Sequence, residues 1–193
     1  MNNYDTYKYA RDMAWQFLID NQVSELPLKL SAICRNKGYR LLLDSKGSYL
    51  KANDRGATFL NDGQWQIVLN PSDSVPVRRY TLAHELGHIY LKHSLHDGKF
   101  GRSFGIQRIP KTPEEYQAER FAIDILAPAC VLWGLNLHTA EDISEICNIS
   151  MQSAKIRAER MELLYQRNMF LSHPLERKVF QQFGKFVENY QII

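Results

Sequence analysis

The segment that most restricts the fold of this chain is HELGH, residues 84–88, which lies inside a predicted helix over residues 77–91. Most of the surface of that helix is apolar, which predicts a central and largely buried element. His84 and His88 are four residues apart, slightly more than one helical turn, so both imidazoles leave the same face. Two histidines placed in this way can bind one Zn²⁺ through bonds of about 2.0–2.1 Å. The sequence therefore predicts a buried helix that carries a metal-binding pair.

Glu85 is the acidic residue of the same HExxH motif and follows the first histidine. A carboxylate at this position reaches a zinc-bound water without binding the metal itself. Because zinc lowers the pKa of that water to about 7, the carboxylate can take its proton during attack on a carbonyl. We therefore predict that Glu85 is the catalytic residue. The alternative is a helix that presents these polar groups to solvent, which fits poorly with its apolar neighbours.

A catalytic zinc needs a third protein ligand and one open position. The best candidates lie on a second helix, which is predicted to begin with Thr112 as N-cap and Pro113 at the first helical position. Three glutamates follow in its first two turns: Glu114, Glu115 and Glu119. Glu115 and Glu119 are four residues apart and share a face. We predict Glu115 as the third ligand and Glu119 as a carboxylate that orients a ligand histidine, and Glu114 as a solvated residue.

Two further histidines follow the motif and are poorer ligand candidates. His93 lies five residues after His88, whereas the metzincin pattern has its third histidine six residues on, after a glycine that is absent here. His96 falls within residues 94–111, which lack periodicity and contain three glycines. We predict that this segment is a loop.

The rest of the chain alternates clear helical and strand patterns. A strand is predicted over residues 39–44, and the Asn-Asp-Gly turn at 61–63 joins two strands, 57–60 and 65–70, into a β-hairpin. The predicted helices outside the two described above cover residues 4–22, 28–37, 139–146, 150–168 and a final segment that ends near 190.

Composition restricts the partners and the compartment. The chain has 24 Lys and Arg against 21 Asp and Glu, a net charge of +3, which is weaker than the basic excess of a tight nucleic-acid binder. The three cysteines, Cys34, Cys130 and Cys147, indicate buried or free thiols in a reducing compartment. The sequence has neither the pattern of a signal peptide nor an apolar run of the length that spans a bilayer. We expect a cytoplasmic protein that does not contact membranes.

The sequence resembles the ImmA/IrrE family of zinc metallopeptidases. The resemblance rests on two blocks, TLAHELGHIYLKH (residues 81–93) and EYQAERFAIDILAP (residues 115–128), and extends over about residues 5 to 130. The family pattern in the second block is E-x-x-A, then Asn or Asp, then x-F-A. Here the Asn/Asp position holds Glu119, a longer acid. Ligation by Glu115 and orientation by Glu119 remain the preferred roles, and an exchange of the two is left open.

The resemblance implies an α+β fold, with a minimal gluzincin-like (thermolysin-like) zinc peptidase core and a small antiparallel sheet. It places a zinc peptidase domain at residues 1–130 and a helical, helix-turn-helix-like module packed on it at residues 131–193. In zincins, an extended substrate commonly adds a strand to the sheet edge over the cleft. Residues 65–69 are our candidate for that edge, and an ordinary structural strand is the alternative.

The family also implies a function: an intracellular, site-specific endopeptidase with one Zn²⁺ per chain that cleaves a helix-turn-helix repressor and thereby switches on mobile-element or stress genes. The alternative is a DNA-binding regulator that uses residues 139–168, with a structural or vestigial metal site. Four basic residues on the second helix of that pair favour it: Lys155, Arg157, Arg160 and Arg167. However, Glu159 and Glu162 interrupt that surface, so direct nucleic-acid binding is not the preferred interpretation. The oligomeric state is left open.

Overall fold

A computed structural model describes residues 3–94, 99–103 and 112–191. The fold is a mixed α+β one, mostly helical with a small sheet, as the sequence predicted. The helices in the described residues are α1 (Asn3–Asp20), α2 (Leu30–Asn36), α3 (Val75–Tyr90), α4 (Pro113–Leu126), α5 (Ala129–Gly134), α6 (Ala140–Cys147), α7 (Met151–Gln166), α8 (Pro174–Gln182) and α9 (Gly184–Gln191). The strands there are β1 (Arg40–Leu43), β2 (Asp54–Asn61), β3 (Gln64–Leu69) and β4 (Lys99–Ser103).

Local sequence signals set several element boundaries. The Thr112 side chain accepts a hydrogen bond of 3.2 Å from the backbone N–H of Glu115, which caps α4 as predicted. In the hairpin, Asn61 pairs with Gln64 across a two-residue loop. The two loop residues, Asp62 and Gly63, have φ values of 49° and 76°. Two consecutive positive φ angles are the signature of a type I′ turn, so the hairpin prediction is confirmed.

The sheet is not the antiparallel one that was predicted. Its strand order is β1-β3-β2-β4; β1 runs parallel to β3, and the other two pairings are antiparallel. The prediction that residues 65–69 form a sheet edge is therefore wrong, because β3 is hydrogen-bonded on both sides. The hairpin pattern specified one neighbour of β3, but it held no information about the parallel partner, whose residues pair with positions 26 residues later in the chain.

The edge beside β2 is formed by β4, within the segment that was predicted as a loop. Residues 99–103 pair antiparallel with β2, with a register irregularity between Asp54 and Gly56. The prediction of a loop is wrong for these five residues, and its remaining parts, 95–98 and 104–111, lie outside the described residues. The sequence KFGRS carries no alternation of apolar and polar residues. Its strand conformation follows from pairing with β2 rather than from a local signal.

Helix α3 lies between the sheet and α4, and two glycines permit the close contacts. A Cβ added at Gly56 on β2 would lie 2.5 Å from Cγ2 of Thr81 on α3. A Cβ added at Gly87 would lie 3.1 Å from the ring of Phe121 and 3.2 Å from the Cα of Ala118, both on α4. The aromatic ring of Phe17 on α1 packs edge-on against Phe121, with ring centroids 5.3 Å apart. Helix α4 and one face of the sheet thus enclose the centre of α3, and α1 packs on α4 behind it.

The helices after residue 130 pack against this core through specific polar contacts. The guanidinium of Arg79 on α3 donates hydrogen bonds to the backbone carbonyls of Leu28 and Asn148. On α7, Arg157 is buried and pairs with Asp124 of α4 at 3.2 Å. The final predicted helix is in fact two helices, α8 and α9, separated at Phe183. The predicted division into domains at residue 130 stays a prediction.

Among the helices in the described part of the chain, none has both the length and the apolarity that a bilayer crossing requires.

Candidate metal centre

Helix α3 places the motif side chains in the interior. His84, Glu85 and His88 are 1%, 0% and 4% exposed, respectively. The two imidazoles lie side by side on one face of the helix, as the i, i+4 spacing predicted, with an edge-to-face arrangement and their Nε2 atoms 3.1 Å apart. A buried, polar pair of this kind carries a desolvation cost that a bound cation would offset.

The carboxylate of Glu115 completes the cluster from the first turn of α4. Its Oε2 lies 3.3 Å from Nε2 of His84, and its Oε1 lies 3.3 Å from Nε2 of His88. The potential ligand atoms of the three residues are all within 4.8 Å of one another. The close approach of α4 to α3 at Gly87 makes this possible, because Glu115 lies three residues before Ala118.

The spacing of these atoms fits a tetrahedral metal ion. Bonds of about 2.0–2.1 Å to tetrahedral corners put neighbouring ligand atoms about 3.3 Å apart. The two Nε2 atoms are 3.1 Å apart, and each lies 3.3 Å from one carboxylate oxygen of Glu115, Oε2 for His84 and Oε1 for His88. Two imidazole nitrogens and one carboxylate oxygen are also a donor set that zinc accepts in hydrolases, with one coordination position left for water or substrate.

The electrostatics of Glu115 favour a permanently ionised ligand. Burial raises the pKa of its carboxyl, but the imidazoles of His84 and His88 beside it outweigh that effect and hold the pKa well below its usual value. Glu115 is therefore an anion at neutral pH. A carboxylate in this state needs no deprotonation before it binds a cation.

Glu85 is held by a residue that the sequence did not point to. The hydroxyl of Thr58 on β2 donates a hydrogen bond of 2.7 Å to Oε2 of Glu85, and both residues are fully buried. The contact joins positions 27 residues apart. Threonine is one of the residue types enriched in strands, so no local signal distinguished this one.

His93 lies beside the cluster and contacts its outer side. Its Nδ1 is 2.9 Å from Nδ1 of His88, and its Nε2 is 2.8 Å from Oε1 of Gln117 on α4. Burial lowers the pKa of His93, partly opposed by the bond to Gln117. His93 faces the nitrogen of His88 that is directed away from Glu115. The residue spacing presented His93 only as a poor ligand candidate and gave no signal for Gln117.

Glu119 is half-buried on α4, one turn after Glu115. Its role in orienting a ligand histidine stays a prediction. A contact with His88 is made by His93.

Comparison with known proteins identifies the family. The sequence model of the peptidase M78 family, described as the IrrE N-terminal-like domain, matches residues 39–159. The chain therefore belongs to the ImmA/IrrE family, as its two sequence blocks indicated, and membership places it among the metallopeptidases. No curated protein matches the chain.

Proposed function

We propose that this protein is a zinc-dependent, site-specific endopeptidase with a gluzincin-like core. One observation carries the proposal: His84, His88 and Glu115 converge from two helices at the separations of a tetrahedral site, with Glu85 next to them in the motif. The family match adds independent support. These three side chains would hold one zinc ion per chain.

When bound there, zinc would supply a Lewis acid that polarises the peptide carbonyl and makes a water molecule more acidic. The side chain of Glu85 takes the proton from the attacking water and passes it to the leaving amine nitrogen as the C–N bond breaks. Because Glu85 is fully buried, bulk water does not compete for that proton. The hydrogen bond from Thr58 occupies one carboxylate oxygen and limits the rotation of the group.

The family resemblance supports a helix-turn-helix repressor as the substrate, and cleavage would switch on mobile-element or stress genes. A cytoplasmic location agrees with three buried, free cysteines. The alternative is a DNA-binding regulator that uses α6 and α7. Two of the four basic residues that favoured it do not support it in the structure. Arg157 is buried against Asp124, and the Arg160 guanidinium lies over the ring of Tyr7. Arg157 is therefore withdrawn from phosphate, and Arg160 is partly engaged by the aromatic ring.

The first experiment measures metal content and cleavage in the same preparations. Metal analysis of the wild-type protein should give about one zinc per chain. His84→Ala should lose the metal, whereas Glu85→Gln should retain it and lose cleavage by about 10²- to 10⁴-fold, the usual contribution of a general base. The matched control is His138→Ala, which removes an exposed histidine that pairs with Asn136 and lies outside the cluster.

The substrate is a library of peptides from a digested bacterial proteome, together with purified small helix-turn-helix proteins, and mass spectrometry identifies the new termini. Normal cleavage by Glu85→Gln would refute the proposed mechanism. Salt-sensitive binding of duplex DNA that persists after zinc removal would favour the regulator instead.

A further inference from the structure

A chain of three side chains leads away from the candidate metal centre. Nδ1 of His88 is 2.9 Å from Nδ1 of His93, and Nε2 of His93 is 2.8 Å from Oε1 of Gln117. Helix α4 thus contributes to the centre twice, through Glu115 directly and through Gln117 by way of His93.

The backbone after α3 places His93 in this position. Lys92 has a φ of 57°, which reverses the chain at the end of the helix. The backbone N–H groups of Lys92 and His93 then donate to the carbonyls of Ile89 and His88, at 3.2 and 3.0 Å. This is the hydrogen-bond pattern of a left-handed helix C-cap. It brings His93 back over the ring of His88, with centroids 4.9 Å apart.

Donor and acceptor chemistry fixes the direction of each bond. The side-chain oxygen of Gln117 only accepts, so Nε2 of His93 carries the proton. In a neutral imidazole the other nitrogen then accepts, so Nδ1 of His93 accepts a hydrogen bond from the Nδ1–H of His88. The remaining nitrogen of His88, Nε2, is left with a lone pair. Oε1 of Glu115 lies 3.3 Å from that nitrogen, so a cation between them would be bound by both atoms.

We propose that His93, held by Gln117, is a positioning residue that keeps His88 in the Nδ1–H form and so presents its Nε2 to the metal. The inference rests on the proposed metal site and deepens it. Ligand histidines generally donate their second N–H to a carboxylate or carbonyl, and loss of such a partner typically costs about 10- to 100-fold in metal affinity or activity. In this protein the acceptor is Nδ1 of a second histidine, His93, where other sites use a carboxylate or carbonyl oxygen.

Paired variants separate the hydrogen bond from simple packing. His93→Phe keeps a ring but removes the hydrogen-bond acceptor, whereas in His93→Asn the side-chain Oδ1 can accept a hydrogen bond from His88. Gln117→Leu removes the oxygen that orients His93, and Gln117→Glu keeps a side-chain oxygen at that position. His138→Phe is the matched control for loss of a histidine ring outside the centre. Circular dichroism establishes that each variant is folded before it is compared.

Two readouts apply to the full chain. Zinc affinity, measured by competition with a chelating dye, should fall about 10- to 100-fold in His93→Phe and Gln117→Leu, and should return to within a few-fold of wild type in His93→Asn and Gln117→Glu. In the metal-free wild-type protein, ¹⁵N NMR of the histidine rings at mildly alkaline pH should show His88 protonated on Nδ1 and His93 on Nε2.

The outcomes distinguish this inference from the proposed function. An Nε2–H form of His88 in the metal-free protein, or zinc affinity unchanged in His93→Phe, would overturn the role of His93 while leaving the peptidase intact. Absence of zinc binding by the wild-type protein would refute the metal site itself, and the ring tautomers would still decide whether His93 orients His88.

Discussion

The hydroxyl of Thr58, on the second strand of the sheet, donates a hydrogen bond of 2.7 Å to Oε2 of Glu85 in the HExxH helix. Both residues have no solvent exposure. The bond links the sheet directly to the proposed general base. Since β2 lies between β3 and the edge strand β4, the orientation of Glu85 depends on the same strand that supports the sheet edge.

We expect Thr58→Val to lower kcat without loss of metal. The substitution keeps the shape of the side chain and removes a hydrogen bond to a charged group, which is worth about 1.5–3 kcal/mol. If that energy positions Glu85 in the transition state, kcat falls about 10- to 100-fold. Steady-state kinetics and zinc content are measured together, and Thr58→Ser is the control that retains the hydroxyl. Equal kcat values in the two variants would exclude a positioning role.

Zinc should stabilise the fold, because its proposed ligands join α3 to α4. Free zinc at about 1,000 times its dissociation constant adds about 4 kcal/mol of unfolding free energy. For a chain of this size, that corresponds to a rise in Tm of about 8–16 °C. Differential scanning fluorimetry of the metal-free protein, with and without added zinc, measures this rise in Tm.

The same assay separates Glu115 from Glu119. Glu115→Ala should abolish the shift in Tm, because it removes one of the three clustered donors. Glu119→Ala should retain a shift. The reverse result would mean that the two glutamates exchange roles.

Gly87 should be irreplaceable by a branched residue. Its missing Cβ lets the backbone of Ala118 approach, and Gly87→Val would force the two helices apart. Overpacking costs about 1–3 kcal/mol, and the displacement would also move Glu115 away from the histidines. We expect weaker zinc binding as well as lower stability, measured by chelator competition and urea unfolding. Leu86→Met, a change of similar volume at the buried neighbouring position, is the control and should cost less. Undiminished zinc affinity in Gly87→Val would contradict the proposed helix spacing.

The pair formed by Asp124 and Arg157 should contribute to stability through mutual neutralisation. Asp124→Asn leaves a buried guanidinium without its counter-charge, and loss of one partner of such a pair costs about 3–5 kcal/mol. Asp124 also pairs with Arg120, so a triple variant, Asp124→Leu with Arg120→Met and Arg157→Met, removes all the charges of the cluster and should cost less than Asp124→Asn. Urea unfolding compares the two variants with the wild type. A triple variant less stable than Asp124→Asn would show that the cluster is net stabilising beyond its neutralisation.

The three cysteines should be unreactive in the native state. Burial raises the pKa of Cys34 to about 11 and that of Cys147 to about 12, and also raises the pKa of Cys130. Since the thiolate is the reactive form, a thiol reagent at pH 8 should modify the native protein at least about 100-fold more slowly than the unfolded protein. Absorbance of the released thiolate follows the reaction. A rapid native phase would show that one thiol is accessible.

The sequence alone determined the elements whose geometry depends on residues close together in the chain. Two imidazoles share a face because helical geometry places residues i and i+4 together. The N-cap at Thr112 and the turn at Asp62-Gly63 follow from the side chain and backbone preferences of the residues themselves. For this reason the motif helix, the start of α4 and the hairpin could be predicted from the sequence alone.

Tertiary structure decided the contacts between elements that lie far apart in the chain. The parallel pairing of β1 with β3, the strand at residues 99–103 and the bond from Thr58 to Glu85 all depend on which surfaces pack together. The position of His93 combines both levels, since a local helix end turns it back and Gln117 on another helix then holds it. Residue spacing encodes geometry within one helix or turn, whereas the orientation of a side chain in a shared interior is set by the packing of all the elements that enclose it.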